Sequence, residues 1–294
     1  MKLISVLITL LVCVTLSSVC AASPALADAN SLPTIDPQAR QILAAMVNSY
    51  SDIEEYADEE TIVSVGDTSP IFPQQINCHF SVALRRGSSI FLTSKDAKGE
   101  EVTVHAIQES TDQFNQRFLV FTTDNRYPSI YLKDAVSEYQ EALVHSCRLV
   151  GLGTVGASAL FSEGDISSLL LEPAFDGLQL DAPLMVDEVM CDSVTVKIDK
   201  QGGTNTLTFS IGQKDHLLRR LKITHMEGAQ TTTFTENFNH IRTKGWPPFP
   251  SLFPGSYFQY APPDGYRLVS FFPPIASPVV KPSVTPEKTY DMGK

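Results

Sequence analysis

Basic residues are in short supply: 22 lysines and arginines stand against 33 aspartates and glutamates, a net charge of −11 that becomes −12 once Lys2 is lost with a leader. Such a surface repels polyanions, which excludes non-specific binding to nucleic acid or to anionic lipid. Charge of either sign is sparse too, at 19%, while 43% of the residues are apolar; that balance excludes wholesale disorder and a coiled coil. Beyond residue 27 no stretch approaches the roughly 18 to 20 uninterrupted apolar residues a spanning helix needs, so no integral membrane segment is expected. The histidines, at 79, 105, 145, 216, 225 and 240, include no H-x-x-x-H pair and no neighbouring cysteine pair, which leaves no metal motif. No internal repeat is present, and no Pro/Gly linker separates two halves.

What the chain does have begins with a leader. Lys2, an apolar run from Leu3 to Leu16, and Ala25-Leu26-Ala27 read as the charged region, hydrophobic region and A-x-A cleavage site of a signal peptide over 1–27. The product is expected to be periplasmic or secreted, with a flexible start over 28–34. Val12 before Cys13 and Val19 before Cys20 lack the small residue that lipidation would need. From Pro273 the chain turns to Pro, Ser, Val and Lys without periodicity, and a Pro-rich disordered tail is expected over 273–294. All 26 aromatics fall after residue 27, which again speaks against wholesale disorder, and one globular domain is expected over 35–272.

Periodicity organises that domain. Asp36-Pro37 sets a capping carboxylate before a proline at the first helical position; Ala39, Ile42, Leu43, Met46, Val47, Tyr50 and Ile53 follow at spacings of three and four, predicting a helix over 37–51. From Ile76 the period is two, with Cys78, Phe80, Val82 and Leu84 on one face. Turns at Arg86-Gly87-Ser88 and Lys98-Gly99 lead into Ile90–Thr93 and Val102–Ile107 as successive hairpins. In 114–123, Phe114, Phe118 and Val120 share one face and Leu119 and Phe121 the other, so both faces want cover. A helix is predicted over 134–150, with further helical stretches from Ala157 and near 166–171. The remainder is again β: 194–198, 207–211, 217–223 and 231–240. This order, without βα alternation, predicts an α+β fold in which an antiparallel sheet gathers helices on one face.

The enzyme-like strings are weak. Gly151-Leu-Gly153-Thr-Val-Gly156 matches a dinucleotide fingerprint, but a helix rather than a strand precedes it, and it reads as a glycine connection between helices. Ser158 lacks the second glycine of a nucleophile elbow. Glu54-Glu55 and Asp58-Glu59-Glu60 read as a solvated edge, and no acid/base pair stands out. No catalysis, cofactor or metal is therefore expected. What remains is apolar: a sheet carrying Phe80, Phe114, Phe118, Phe209, Phe234 and Phe238 over which a few helices must close. Incomplete cover leaves a cavity for an apolar ligand; complete cover leaves a closed core of the same residues.

After the leader three cysteines remain. An odd count in an oxidising compartment suggests one bridge and one thiol. Cys78 alternates in phase with Phe80 and Val82 and reads as a buried hydrophobe, which leaves Cys147 and Cys191 to pair. Their bridge would close 43 intervening residues, worth roughly 4 kcal/mol by chain entropy.

Four stretches carry a resemblance: Asp36-Pro-Gln-Ala-Arg40 with Met46 and Tyr50; Val186-Asp-Glu-Val-Met-Cys191; Phe209 through Leu221; and Phe258-Gln-Tyr-Ala-Pro262-Pro263-Asp-Gly265. They resemble bacterial predicted periplasmic proteins of unknown function related to the lipoprotein carriers LolA and LolB and the mycobacterial lipid carrier LppX. The resemblance covers about residues 35 to 270. It implies an unclosed β-barrel, a strongly curved antiparallel sheet wrapped around helices, with an apolar cavity that would be lined by Met46, Phe80, Val82, Phe118, Val120, Leu160, Phe209 and Phe234. The implied function is non-catalytic binding of a lipid or of lipoprotein acyl chains. The alternative is an envelope sensor or interaction module whose sheet meets a protein partner without carrying lipid, with Trp246-Pro-Pro-Phe-Pro250 and the tail as docking elements. Arg85, Arg86, Arg117 and Arg126 are each possible counterparts of the carriers' functional arginine.

Overall fold

A computed structural model describes residues 34–66, 77–109, 117–127, 130–150, 176–200, 203–245, 251–254, 256–262 and 264–272. The leader, the glycine connection at 151–156, the helical stretches from Ala157, Leu160, the Trp246–Pro250 string and the tail lie outside them.

The helix at the start forms as its sequence dictates. Asp36 caps α1 (Pro37–Ser51), accepting from the Gln38 N–H at 2.8 Å and the Ala39 N–H at 3.3 Å. Ala39, Leu43, Met46 and Tyr50 form its buried stripe. At its far end the Tyr50 carbonyl accepts from the capping Asp52 N–H and from Arg86 (2.7 Å), which also donates to the Ile53 carbonyl just beyond the helix (2.9 Å).

The chain order is β1 (Thr34–Ile35), α1, β2 (Ile53–Gly66), β3 (Asn77–Arg85), β4 (Ser89–Asp96), β5 (Glu101–Gln108), β6 (Phe118–Asp124), β7 (Ile130–Val136), α2 (Tyr139–Val150), β8 (Gly177–Val186), β9 (Val189–Lys200), β10 (Gly203–Gly212), β11 (Leu218–Glu227), β12 (Gln230–Gly245) and β13 (Arg267–Val269). Among the described residues these strands make one sheet, ordered β1-β8-β9-β10-β11-β12-β2-β3-β4-β5-β6-β7-β13. Only the edge pairs β1/β8 and β7/β13 are parallel. The sheet does not close. It is a large curved half-barrel of the α+β class, as expected, and α1 packs on β8 and β9 while α2 packs on β4 to β7. Both helices and both wings of the sheet share one apolar core.

Three readings are corrected. Residues 130–136 form a strand, because Leu132 and Val136 pair with Thr122 and Phe118 of β6; the helix starts at Tyr139, after Ser137 donates its N–H (3.2 Å) and hydroxyl (3.0 Å) to Glu141. The spacing Ala135, Tyr139, Leu143 and Cys147 runs across that boundary and conceals it. The acidic run 54–60 belongs to a central strand, flanked by β12 and β3. The Cys147–Cys191 bridge is not formed: Cys191 is a buried thiol donating to the Val189 carbonyl at 3.5 Å. Cys147 rides on α2, whose contacts are with β4 to β7, whereas Cys191 opens β9 in the other wing. Cys78 packs against the core, half-buried.

The outer face of β6 receives the cover its sequence called for. Phe121 meets Tyr131 at 6.4 Å and Tyr260 at 5.1 Å, and His105 stacks on Tyr260 at 4.4 Å. Burial holds the His105 imidazole down at about 4, so it is neutral there. The segment from Ser251 runs as a strap over this convex side, with Phe253 and Phe258 packed on Ala57 and Ala83. It is pinned by Glu55, which accepts from the Ser251 hydroxyl (2.7 Å), the Leu252 N–H (2.6 Å) and Arg85 (2.9 Å).

Candidate functional site

Alternation along β2 sends Tyr56, Asp58, Glu60 and Ile62 to the concave side, and all four are buried. On the neighbouring β12 the inward set is Phe234, Glu236 and Phe238, with Glu236 opposite Ile62 and Phe238 opposite Glu60. Three carboxyls therefore meet inside an otherwise apolar wall. The Tyr56 hydroxyl donates to Asp58 at 2.6 Å, and the Leu218 N–H donates to the Tyr50 hydroxyl at 3.3 Å, so a polar track crosses the floor from β11 to β2.

Burial is the main cause of the unusual acidity of this group. It pushes Asp58 up to about 8, with the Glu236 charge adding to the rise. Burial also raises Glu60 well above the usual carboxylate range, reinforced by the charges of Asp58 and Glu236. Apart from a carboxyl proton, no N–H or O–H donor among the described residues reaches either oxygen of Glu60. The arrangement holds because Asp58 and Glu60 stay protonated at neutral pH.

Glu60 and Phe238 lie on the wall of a cleft of about 620 Å³, together with Phe80, Ile241, Val186, Val189 and Arg219. In the strand order β9 and β3 stand five spacings apart, about 24 Å in a flat sheet. That Val189 and Phe80 line the same cleft is the curvature of the sheet measured directly. Arg219 is bonded to Asp215 at the head of β11.

The rim is strained. Asp187 and Glu188, at the β8–β9 turn, adopt φ of 45° and 66°, and His240, at a bulge of β12, adopts 51°. A two-residue turn of this hand favours Asn-Gly; each side chain held there costs about 1–3 kcal/mol. Asp187 and His240 both line the cleft. Beside the turn Met185 and Met190 face each other across the hairpin, both exposed.

Of the residues expected to line a cavity, Met46, Phe80, Val82, Phe118, Val120 and Phe234 gather in the common core, Phe209 packs against it half-buried, and Leu160 lies outside the described residues. Phe80 is the one of these that borders the cleft. Sequence reasoning missed Asp58, Glu60, Glu236 and Arg219. The signal for the first two was the alternation Tyr56, Asp58, Glu60, Ile62, which continues through the acidic run. The four arginines are engaged elsewhere: Arg85 with Glu55, Arg86 at the end of α1, Arg117 with Glu109, and Arg126 with Asp124 and Glu100. Among the described residues no three His, Cys, Asp or Glu side chains converge as metal ligands, and no helix is long and apolar enough to cross a membrane.

The fold is a half-barrel: an unclosed, mostly antiparallel sheet curled around helices, with the β8–β9 turn on the border of its cleft. Among solved structures, the chain is similar to one from the complex of Pseudomonas aeruginosa MucA and MucB, at 11% identity and TM-score 0.35 over 76% of this chain and 61% of that one. It spans about three fifths of the length of that matched chain. It is also similar to a DUF1329 family protein from Desulfovibrio piger (8% identity, TM-score 0.32, 76% of this chain and 96% of that one). A LolA superfamily protein from Nitrosomonas europaea is a third (7%, 0.31, 71% and 94%). No protein-family model and no curated protein matches the chain.

Proposed function

We propose that this chain is an exported, non-catalytic binding protein that takes a lipid or the acyl chains of a lipoprotein through the mouth of the half-barrel. The observation that carries the reading is the cleft itself: about 620 Å³, with Phe80, Val186, Val189, Phe238 and Ile241 as an apolar strip inside a rim of polar and charged side chains that includes Glu59, Asp187 and His240, beside the shared core. Its volume lies in the range of small-molecule sites. Each buried methylene contributes about 0.8 kcal/mol, so a chain of a dozen carbons gains roughly 10 kcal/mol before association costs of 4 kcal/mol or more. Lipid extraction and native mass spectrometry of protein purified from the envelope test this. A stoichiometric amphiphile is expected; protein free of lipid that also fails to bind added C12 to C16 amphiphiles refutes the reading.

A second reading, a module that meets a protein partner on its sheet, is favoured by the exposed Met185–Met190 pair at the lip, since methionines suit adaptable contact surfaces. Met185→Glu with Met190→Glu separates the two. Loss of partner capture with lipid binding intact supports the second reading.

A further inference from the structure

Three inward carboxyls on an apolar wall are a costly arrangement, and the cost has a direction. The charges that bear most on Glu60 are those of Asp58, Glu236 and the Cys147 thiol, all of them acidic. The arginine of the cleft, Arg219, is committed to Asp215. The internal stretches 67–76, 110–116, 151–175 and 246–250 contain no lysine or arginine, so their side chains bring no fixed positive charge. Glu60 is 1% exposed, borders the cleft, and makes its side-chain hydrogen bonds only with the carboxyls of Asp58 and Glu236 among the described residues. A buried carboxyl whose neighbours are other carboxyls favours an incoming donor that carries positive charge. Phe80, Phe238 and Ile241 beside Glu60 offer the apolar surface along which the rest of such a molecule would lie.

We infer that the cleft selects cationic amphiphiles, an ammonium or guanidinium group seated on Glu60 with its hydrocarbon against Phe80 and Phe238. This rests on the binding function proposed above and names the chemical class of its ligand. Seating the cation draws a proton from the Glu60 site: the ammonium replaces it as counter-charge, and the proton leaves to the buffer. An acidic protein of net charge −11 also concentrates cations at its surface.

Calorimetry of the mature chain at pH 6.5 with dodecylamine, dodecanol and dodecanoate, all below their aggregation concentrations, tests it. The amine is expected to bind at least tenfold tighter than the alcohol. About one proton should be released per amine bound, read from the dependence of the heat on buffer ionisation enthalpy, and none with the alcohol. Glu60→Gln should abolish the preference and the proton release; Glu138→Gln, exposed and outside the cleft, should change neither by more than twofold. If Glu60→Gln fails to fold, the proton count on the wild-type chain still decides. Equal affinity for amine and alcohol, or amine binding without proton release, overturns the inference while leaving the binding function standing. Failure of all three amphiphiles to bind overturns both.

Discussion

Replacing Asp58 by asparagine should make the protein more stable at alkaline pH, by an amount that grows with pH. Asp58 in the folded chain keeps its proton to about pH 8, against 3.8 for an unburied aspartate, chiefly because burial penalises its charged form. Between those values the unfolded chain is ionised at this position and the folded chain is not, so the folded state binds the extra proton and loses stability as pH rises. The group's contribution is fully present below pH 4 and is gone above pH 8. The slope is at most about 1.4 kcal/mol per pH unit, accumulating to roughly 5 kcal/mol across the window. Asparagine keeps an acceptor for the Tyr56 hydroxyl, which lies 2.6 Å away, and does not titrate. Urea unfolding followed by circular dichroism at half-unit steps from pH 4.5 to 8.5, on wild type and Asp58→Asn, gives the difference directly. It should grow in favour of the variant up to about pH 8 and then level off. Because Asp58 and Glu60 share one site, the titration belongs to the pair, and Glu60→Gln should flatten the same profile. A difference that is constant with pH, or that shrinks, refutes the account of the buried carboxyls.

Other substitutions test other contacts. Phe118→Ala, fully buried and edge-on to Tyr139 at 5.8 Å, should cost about 3–5 kcal/mol in urea unfolding. Glu55→Ala should release the Ser251 strap at a cost of about 3 kcal/mol, seen also as faster tryptic cleavage after Arg267. Burial alone would raise Glu55, but its bonds from Ser251, Leu252 and Arg85 hold it below the usual range. Its contribution is therefore present above its ordinary value of 4.5 and is lost as pH falls below that. Glu188→Gly, relieving a φ of 66°, should raise stability by about 1 kcal/mol, read as a higher urea midpoint.

Much of the architecture was legible because period-two and period-four patterns report burial, and burial is what the half-barrel organises. Cys78-Phe80-Val82 and Ala39-Leu43-Met46-Tyr50 announce their faces without ambiguity. The misreadings have different physical roots: at 134–139 a helical spacing runs across the end of a strand and hides it, while at 54–60 polar composition outweighs period. The acidic residues of 54–60 alternate as a strand does, yet their charge argued for solvent. Only the tertiary pairing with β12, from the far end of the chain, encloses Asp58 and Glu60. The cleft was less legible still, because Arg219 and Val189 join Phe80 only when the sheet curls. No local pattern encodes that curl. The cysteines illustrate the same point, since the elimination that paired Cys147 with Cys191 took no account of the two wings that separate them.

The seam between β2 and β12 joins residues as distant as Thr61 and Asn237, 176 positions apart, while every other antiparallel pair in the sheet joins strands consecutive in the chain. Two meanders of neighbouring hairpins can thus form fast, and their docking along this seam, with its large loop-closure entropy, limits the folding rate. At a synthesis rate of about 5–20 residues per second, β2 waits roughly ten to thirty seconds for its partner, presenting an unpaired strand edge throughout. During that interval Glu55, Asp58, Glu59 and Glu60 are ionised in water and repel any other strand that approaches. The same carboxyls that burden the finished fold act as gatekeepers of the unfinished one, so removing them to gain stability should raise the fraction of chains lost to aggregation.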